Sequence, residues 1–169
     1  HEQFAMARLN PDGSLDPTLA GDGTIDGINI GTAAAIRSAA LQSDSRIVVT
    51  GEQVTSAPPG QTGAGVFIVR FLSDGSLDPS FDGDGVITRT DQYRQHPSVD
   101  PRPVGKALAI QPDGKLLVGT GPYHVTRFNS DGTVDNTFGC NGATELAHPA
   151  QEFALSSSMS VQSLVALSN

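Results

Sequence analysis

The sequence predicts an all-β repeat array. Three observations carry that prediction: a motif recurring three times in register, short β-branched segments bounded by turn residues, and glycine and proline dispersed along the chain rather than clustered. The motif begins as Arg8-Leu9-Asn10-Pro11-Asp12-Gly13-Ser14-Leu15-Asp16-Pro17-Thr18. It returns as Arg70-Phe71-Leu72-Ser73-Asp74-Gly75-Ser76-Leu77-Asp78-Pro79-Ser80 and as Arg127-Phe128-Asn129-Ser130-Asp131-Gly132-Thr133-Val134-Asp135-Asn136-Thr137, at offsets of 62 and 57 residues. Each copy is followed by a second turn signal: Gly21-Asp22-Gly23, Gly83-Asp84-Gly85 and Cys140-Asn141-Gly142.

A second element repeats between these anchors. Ala40-Leu41-Gln42-Ser43-Asp44-Ser45-Arg46-Ile47-Val48-Val49 matches Ala109-Ile110-Gln111-Pro112-Asp113-Gly114-Lys115-Leu116-Leu117-Val118. In the third unit only Ser160-Val161-Gln162 is recognisable. The units run over about 3–64, 65–121 and 122–169, with the last degraded. Each reads as about four short strands, which in the second unit fall near 65–71, 85–90, 105–111 and 115–119. Val66-Phe67-Ile68-Val69 and Leu116-Leu117-Val118 are apolar at consecutive positions, as in a sheet covered on both faces. No segment carries a sustained helical period with caps.

The turns have a mechanism. In Gln111-Pro112-Asp113-Gly114, proline presets φ at the first turn position and Gly114 supplies a left-handed residue, as a hairpin loop closing through a glycine bulge requires. Asn10-Pro11-Asp12-Gly13 is built alike. Ser45 stands where this turn expects glycine, which predicts a strained or rearranged turn there. Residues 53–65, centred on Pro58-Pro59-Gly60, and residues 91–103, with Pro97, Pro101 and Pro103, read as loop-like inserts.

Composition narrows the function classes. Ten basic residues against eighteen acidic ones give a net charge of -8, and no window is dominated by Lys or Arg, so no nucleic-acid partner is expected. No apolar run approaches the ~20 residues of a membrane span. A signal peptide is expected to be absent or already removed, because His1 is followed by neither a basic nor an apolar leader. The lone Cys140 allows no intrachain disulfide.

With these residues in view, the chain resembles the bacterial delta-60 repeat family, whose units join an Arg-aromatic/Leu-x-x-Asp-Gly-Ser-Leu-Asp-x-Ser/Thr-Phe-Gly core to a Leu-Gln-Pro-Asp-Gly-Lys-Ile-Val-Val element. The resemblance covers nearly all of residues 3–145 and more weakly 146–169. It implies β-propeller blades, usually within large secreted or cell-surface bacterial proteins, and no single activity that transfers to named residues. The chain departs from the pattern at Leu19-Ala20, where Phe-Gly is expected, at Ser45, and in its third unit. Closed propellers take about four to eight blades. Three units therefore predict a segment of a longer chain, with self-association to complete the ring as the alternative.

Candidate chemistry is sparse. Asp82, Asp84, Asp12 and Asp16 place carboxylates on glycine-rich loops, as a calcium site requires; the competing reading is ordinary turn chemistry, which recurrence in every unit favours. His1, His96, His124 and His148 lack metal-ligand spacing, and Cys140 reads as an incidental replacement in a permissive loop. Gly119-Thr120-Gly121 reads as a strand end rather than a nucleotide loop. Phe4, Phe67, Phe71, Phe81, Phe128 and Phe138 occupy repeat positions and read as core, which leaves Tyr93, Arg94 and His96 as the best exposed binding candidates.

The functional expectation is a non-enzymatic structural or interaction module, presenting its inserts to a protein or glycan. The alternative is a hydrolase or metal-dependent oxidase whose site is gathered from several loops at the propeller mouth. The turn reading makes its own prediction: Gly75→Val lowers the melting temperature more than Gly60→Val, because Gly75 serves a repeated left-handed turn and Gly60 an insert. Equal melting temperatures would refute the turn assignment.

Overall fold

Short β-branched segments must pair edge to edge, because a lone strand leaves its backbone amides and carbonyls unsatisfied. The computed structural model describes residues 4–28, 33–56, 62–89, 105–120, 124–145, 161 and 163–166, and shows ten strands and no helix among them. They are β1 (Phe4–Ala7), β2 (Thr24–Ile28), β3 (Ala33–Leu41), β4 (Ile47–Ser56), β5 (Thr62–Phe71), β6 (Val86–Arg89), β7 (Leu108–Ile110), β8 (Leu116–Gly119), β9 (His124–Phe128) and β10 (Ala143–Glu145). They form a β1-β2 pair and two four-stranded antiparallel meanders, β3-β4-β5-β6 and β7-β8-β9-β10. No helix among the described residues is long and apolar enough to cross a membrane.

The meanders cut the chain out of phase with the sequence repeat. Each four-stranded sheet takes its first two strands from the Gln-x-Asp-x-Arg/Lys element and its last two from the following Arg-x-x-x-Asp-Gly motif. The β1-β2 pair corresponds to the last two strands of such a sheet.

Residues 53–65 are not the loop that their composition predicts. The β4–β5 ladder continues through Gln53↔Gly65, Val54↔Ala64, Thr55↔Gly63 and Ser56↔Thr62, and only the tip, 57–61, lies outside the described residues. Antiparallel main-chain pairing tolerates Gly63 and Gly65 because a ladder hydrogen bond needs no side chain. The second predicted insert, 91–103, lies wholly outside the described residues.

The turns form as their residues dictate. Asn10 N–H donates to Ser14 O and Gly13 N–H to Asn10 O, with Gly13 at φ 86°; the Gln111–Lys115 turn repeats this with Gly114 at φ 82°. At the departure from pattern, Ser45 keeps the turn rather than rearranging it, taking φ 66° itself, a conformation that costs a non-glycine residue about 1 kcal/mol or more. The third unit changes its second turn instead. Cys140 occupies the place of Gly21 (φ 88°) and Gly83 (φ 92°), and that left-handed position moves one residue on to Asn141 (φ 51°), while Gly139 and Gly142 stay left-handed as their counterparts are.

The core lies between the sheets. On β4 and β5, Val48, Val66 and Ile68 point to one face, and Val49, Phe67, Val69 and Phe71 to the other. The first set packs with Phe81 and Ile87 against Leu108, Leu116, Val118 and Phe128 of the next sheet. The second set packs against Leu19 and Ile25 of the β1-β2 unit. Leu19, at the expected phenylalanine position, is fully buried as Phe81 is. On the far side of the last sheet, Val125, Ala107, Leu117 and Phe138 pack with Val161 and Leu164. Of the expected core aromatics, Phe67, Phe71, Phe81 and Phe128 are buried and Phe138 is half-buried. The side chain of Phe4 lies outside the described residues.

Phe81 closes one junction between sheets, whereas Leu77, four residues earlier, is 40% exposed. Phe81→Ala is expected to lower unfolding free energy by about 3–5 kcal/mol and Leu77→Ala by less than about 1 kcal/mol, measured by urea denaturation. Similar losses would show that the junction is not cooperative with the sheets.

Candidate functional site

The recurring charged residues converge into one cluster per motif. Arg70 lies next to the end of β5, and the turn that follows returns Asp78 beneath it, with Asp78 N–H donating to Arg70 O. Arg70 Nε donates to Asp78 Oδ2 at 2.7 Å and Nη2 to Ser80 Oγ at 3.0 Å. Its guanidinium stacks 4.5 Å above the Phe81 ring. Both partners are nearly dry, with side chains 5% and 2% exposed.

The same set recurs in the other copies. Arg8 Nε reaches Asp16 Oδ2 at 2.8 Å and Nη2 reaches Thr18 Oγ1 at 2.6 Å; Arg127 Nε reaches Asp135 Oδ2 at 2.8 Å, with its guanidinium 4.6 Å from Phe138. The neighbouring strand adds a second cation. Arg46 Nε stands 2.9 Å from Asp78, and Lys115 Nζ donates to Asp135 at 2.8 Å. Arg46 also pairs with Asp44. The two sequence elements of the repeat therefore meet at one carboxylate.

The arginine also reaches across to the next motif. Arg8 Nη1 donates to Ser73 O at 2.9 Å, and Arg70 Nη1 donates to Ser130 O. Beside each, a left-handed residue turns its amide the same way: Ala20 N–H donates to Asp74 O and Asp82 N–H to Asp131 O, both at 2.8 Å. Gly75 and Gly132 complete the contact. A Cβ on Gly75 would lie 3.1–3.2 Å from Ile25 and Leu19, and one on Gly132 would lie 3.1–3.2 Å from Ile87 and Phe81.

The aspartates predicted as calcium candidates hold turns together. Ser14 N–H and its hydroxyl donate to Asp12 Oδ1, Thr18 does the same to Asp16 Oδ1, and Val86 N–H donates to Asp84 Oδ1. Asp82 contributes its left-handed backbone to the junction. Among the described residues no group of three or more His, Cys, Asp or Glu side chains gathers around a common point. His124 lies in β9, and Cys140 is exposed. Tyr93, Arg94 and His96 lie outside the described residues, as do His1, Tyr123 and His148.

These bonds shift the carboxyls. The Ser14 hydroxyl holds Asp12 below the ordinary carboxylate range, and the Thr18 hydroxyl, with help from Arg8, does so for Asp16. Burial pushes Asp78 up, but the Ser80 hydrogen bonds and Arg70 together outweigh it and leave it lowered. Asp135 is lowered furthest, by Lys115 first and Thr137 second.

Reading the sequence for chemistry overlooks the arginines. Their signal was present as Arg, then Asp eight residues on, then Ser or Thr two further, three times over.

A family model described as a beta-propeller domain of unknown function, DUF5122, matches residues 2–19, 42–81 and 111–138, just over half of the chain. Each matched segment contains one of the three arginine motifs. No curated protein and no solved structure matches the chain.

Because the folded-state carboxyls are lowered, the folded chain holds fewer protons than the unfolded one in acid. The stabilisation is complete above the ordinary carboxylate value of about 3.9 and is lost as the pH falls below it. Melting temperature should be flat from neutral pH to about 5 and fall steeply below about 4. Asp78→Asn, which strands a buried guanidinium, should cost about 3 kcal/mol, more than Asp16→Asn at the more exposed copy. A pH-independent melting temperature, or equal costs for the two variants, would refute the assignment.

Proposed function

The chain belongs to the DUF5122 β-propeller family, and on that premise we propose that it is a non-catalytic interaction module, working outside the bacterial cell as the repeat resemblance implies. The observation that carries this reading is how fully the recurring polar residues are engaged. In the first two units the motif arginine is bonded to its own aspartate, its own hydroxyl and the next motif's carbonyl. The motif aspartates accept from turn amides and hydroxyls. Residues occupied in this way build a scaffold, and recognition falls to the segments that depart from the repeat.

The β4–β5 hairpin is the best-supported such segment. Its two strands run ten residues each, against four in β8 and five in β9, their counterparts in the next blade. The extra length extends the ladder from Gln53↔Gly65 to Ser56↔Thr62, on either side of the sequence that holds Pro58-Pro59-Gly60. A partner protein or glycan bound there would leave the blade junctions undisturbed.

The test replaces residues 57–61 with an Asn-Gly turn and compares both chains on a glycan array and a panel of immobilised extracellular proteins. The expected result is a ligand bound by the parent chain and lost by the variant, with the melting temperature of the two unchanged. Turnover by the parent chain of ester, glycoside, peptide or redox substrates would overturn the reading.

A further inference from the structure

Asn141 is the one asparagine of the chain that is followed by glycine. It stands where the first two units have Asp22 and Asp84, each also followed by glycine, and the three turns treat that side chain differently. Asp22 Oδ1 accepts from the N–H and the hydroxyl of Thr24, and Asp84 Oδ1 from the N–H of Val86, all at 2.8 Å. Asp12, Asp74, Asp113 and Asp131, which also precede glycine, are held by the amide two residues on in the same way. In the third unit's second turn that amide is taken. Ala143 N–H donates to Cys140 O at 3.3 Å and Cys140 N–H to Ala143 O at 2.7 Å, closing a two-residue hairpin turn with Asn141 at φ 51° and Gly142 at φ 92°. Positive φ at both central residues is what an Asn-Gly pair favours. The Asn141 carboxamide therefore lacks the anchor of its counterparts, and the residue is exposed.

We propose that Asn141 is a site of spontaneous deamidation and that the β9–β10 turn sets its rate. The chemistry needs a carboxamide, the next residue's nitrogen and water. The Gly142 nitrogen loses its proton to base and attacks Asn141 Cγ, the bond from Cγ to the carboxamide nitrogen breaks, and that nitrogen leaves as ammonia. Water then opens the five-membered imide. Opening at Cγ gives aspartate, whereas opening at the main-chain carbonyl carbon gives isoaspartate, in which the chain continues through Cγ. A side chain on the following residue hinders the ring, and glycine has none. The aspartates are poor substrates for the same closure, because an ionised carboxylate is a weak electrophile.

The folded turn opposes the attack. Gly142 N–H donates to Phe138 O at 2.9 Å, so its nitrogen reacts only when that bond opens. The product then changes the blade. Gly142 O accepts from Arg127 N–H at 2.9 Å, Ala143 lies opposite Thr126, and a Cβ on Gly142 would run into Val134 Cγ1, so the turn has no room to shift. Isoaspartate lengthens the main chain by one carbon inside this turn, which breaks the register and loosens the edge strand β10. Aspartate only restores the residue type of the other units. None of this depends on what the β4–β5 hairpin binds.

The experiment incubates the full chain at neutral and at mildly alkaline pH, folded in buffer and unfolded in guanidinium chloride. Digestion and tandem mass spectrometry locate the deamidated asparagines, and electron-transfer fragmentation separates isoaspartate from aspartate. Asn141 is expected to convert first in the folded chain, faster as the pH rises, and about tenfold more slowly than in the unfolded chain. Hydrogen exchange at the Arg127 amide should quicken in the isoaspartate fraction. Asn141→Gln should stop the conversion, because the longer side chain closes the ring poorly. Earlier conversion of Asn10, Asn29, Asn129 or Asn136 in the folded chain overturns the proposal. So does an Asn141 still intact after about a hundred half-times of the unfolded chain. Equal folded and unfolded rates overturn the control by the turn, and unchanged Arg127 exchange overturns the loosening of β10. The measurements on the unmodified chain decide the matter should Asn141→Gln fail to fold.

Discussion

One guanidinium per motif holds the architecture in register. Arg70 directs Nε to Asp78, Nη2 to Ser80 and Nη1 to Ser130 O, while its flat face lies on Phe81. A planar fork with five donors can serve a carboxylate, a hydroxyl and a distant carbonyl at once, and a lysine ammonium cannot reproduce that geometry. An ion pair this dry gains little net energy over a well-packed apolar replacement. Its contribution is therefore better understood as positional: it ties the turn after β5 to its own strand and sets where the next motif's Asp-Gly turn must lie.

That constraint explains why the chain behaves as a one-dimensional array. A four-stranded sheet with valine, isoleucine and phenylalanine at consecutive positions has two apolar faces, and each must be covered by a neighbour. The β4–β5 sheet achieves this with Leu19 and Ile25 on one side and Leu108, Leu116 and Phe128 on the other. The departures from the repeat are absorbed locally. Leu19 fills the aromatic position but leaves Arg8 without a ring to stack on. Ser45 accepts a left-handed backbone, and Cys140 passes the left-handed conformation of its place to the next residue, Asn141. None of the three changes which strands pair.

The repeated carboxylates serve the scaffold. Carboxylates that look available as a list of Asp residues are already acceptors for turn amides and hydroxyls, which lowers their proton affinity and locks the turn conformation. The lengthened β4–β5 hairpin adds main-chain pairing beyond the span of its counterpart, β8–β9.

Much of this was legible in the residues themselves. Strand identity, the glycine-bulge turns and the all-β repeat follow from local chemistry: β-branched runs, proline preset φ and glycine freedom act within a few residues of one another. The engagement of Asp12, Asp16 and Asp84 in turns was likewise one of two readings their spacing allowed. Residues 53–65 were misread because proline and glycine content marks a turn without stating how far the ladder extends on either side. The cluster of Arg46 and Arg70 on Asp78 had no local signal for its first member, since 32 residues separate Arg46 from that carboxylate. By itself the sequence determined the strands, the turns and the repeat, which depend on neighbours along the chain. Tertiary structure alone decided the phase of the sheets against the repeat, the junction bonds and which apolar faces are covered, because those depend on contacts between units some 60 residues apart.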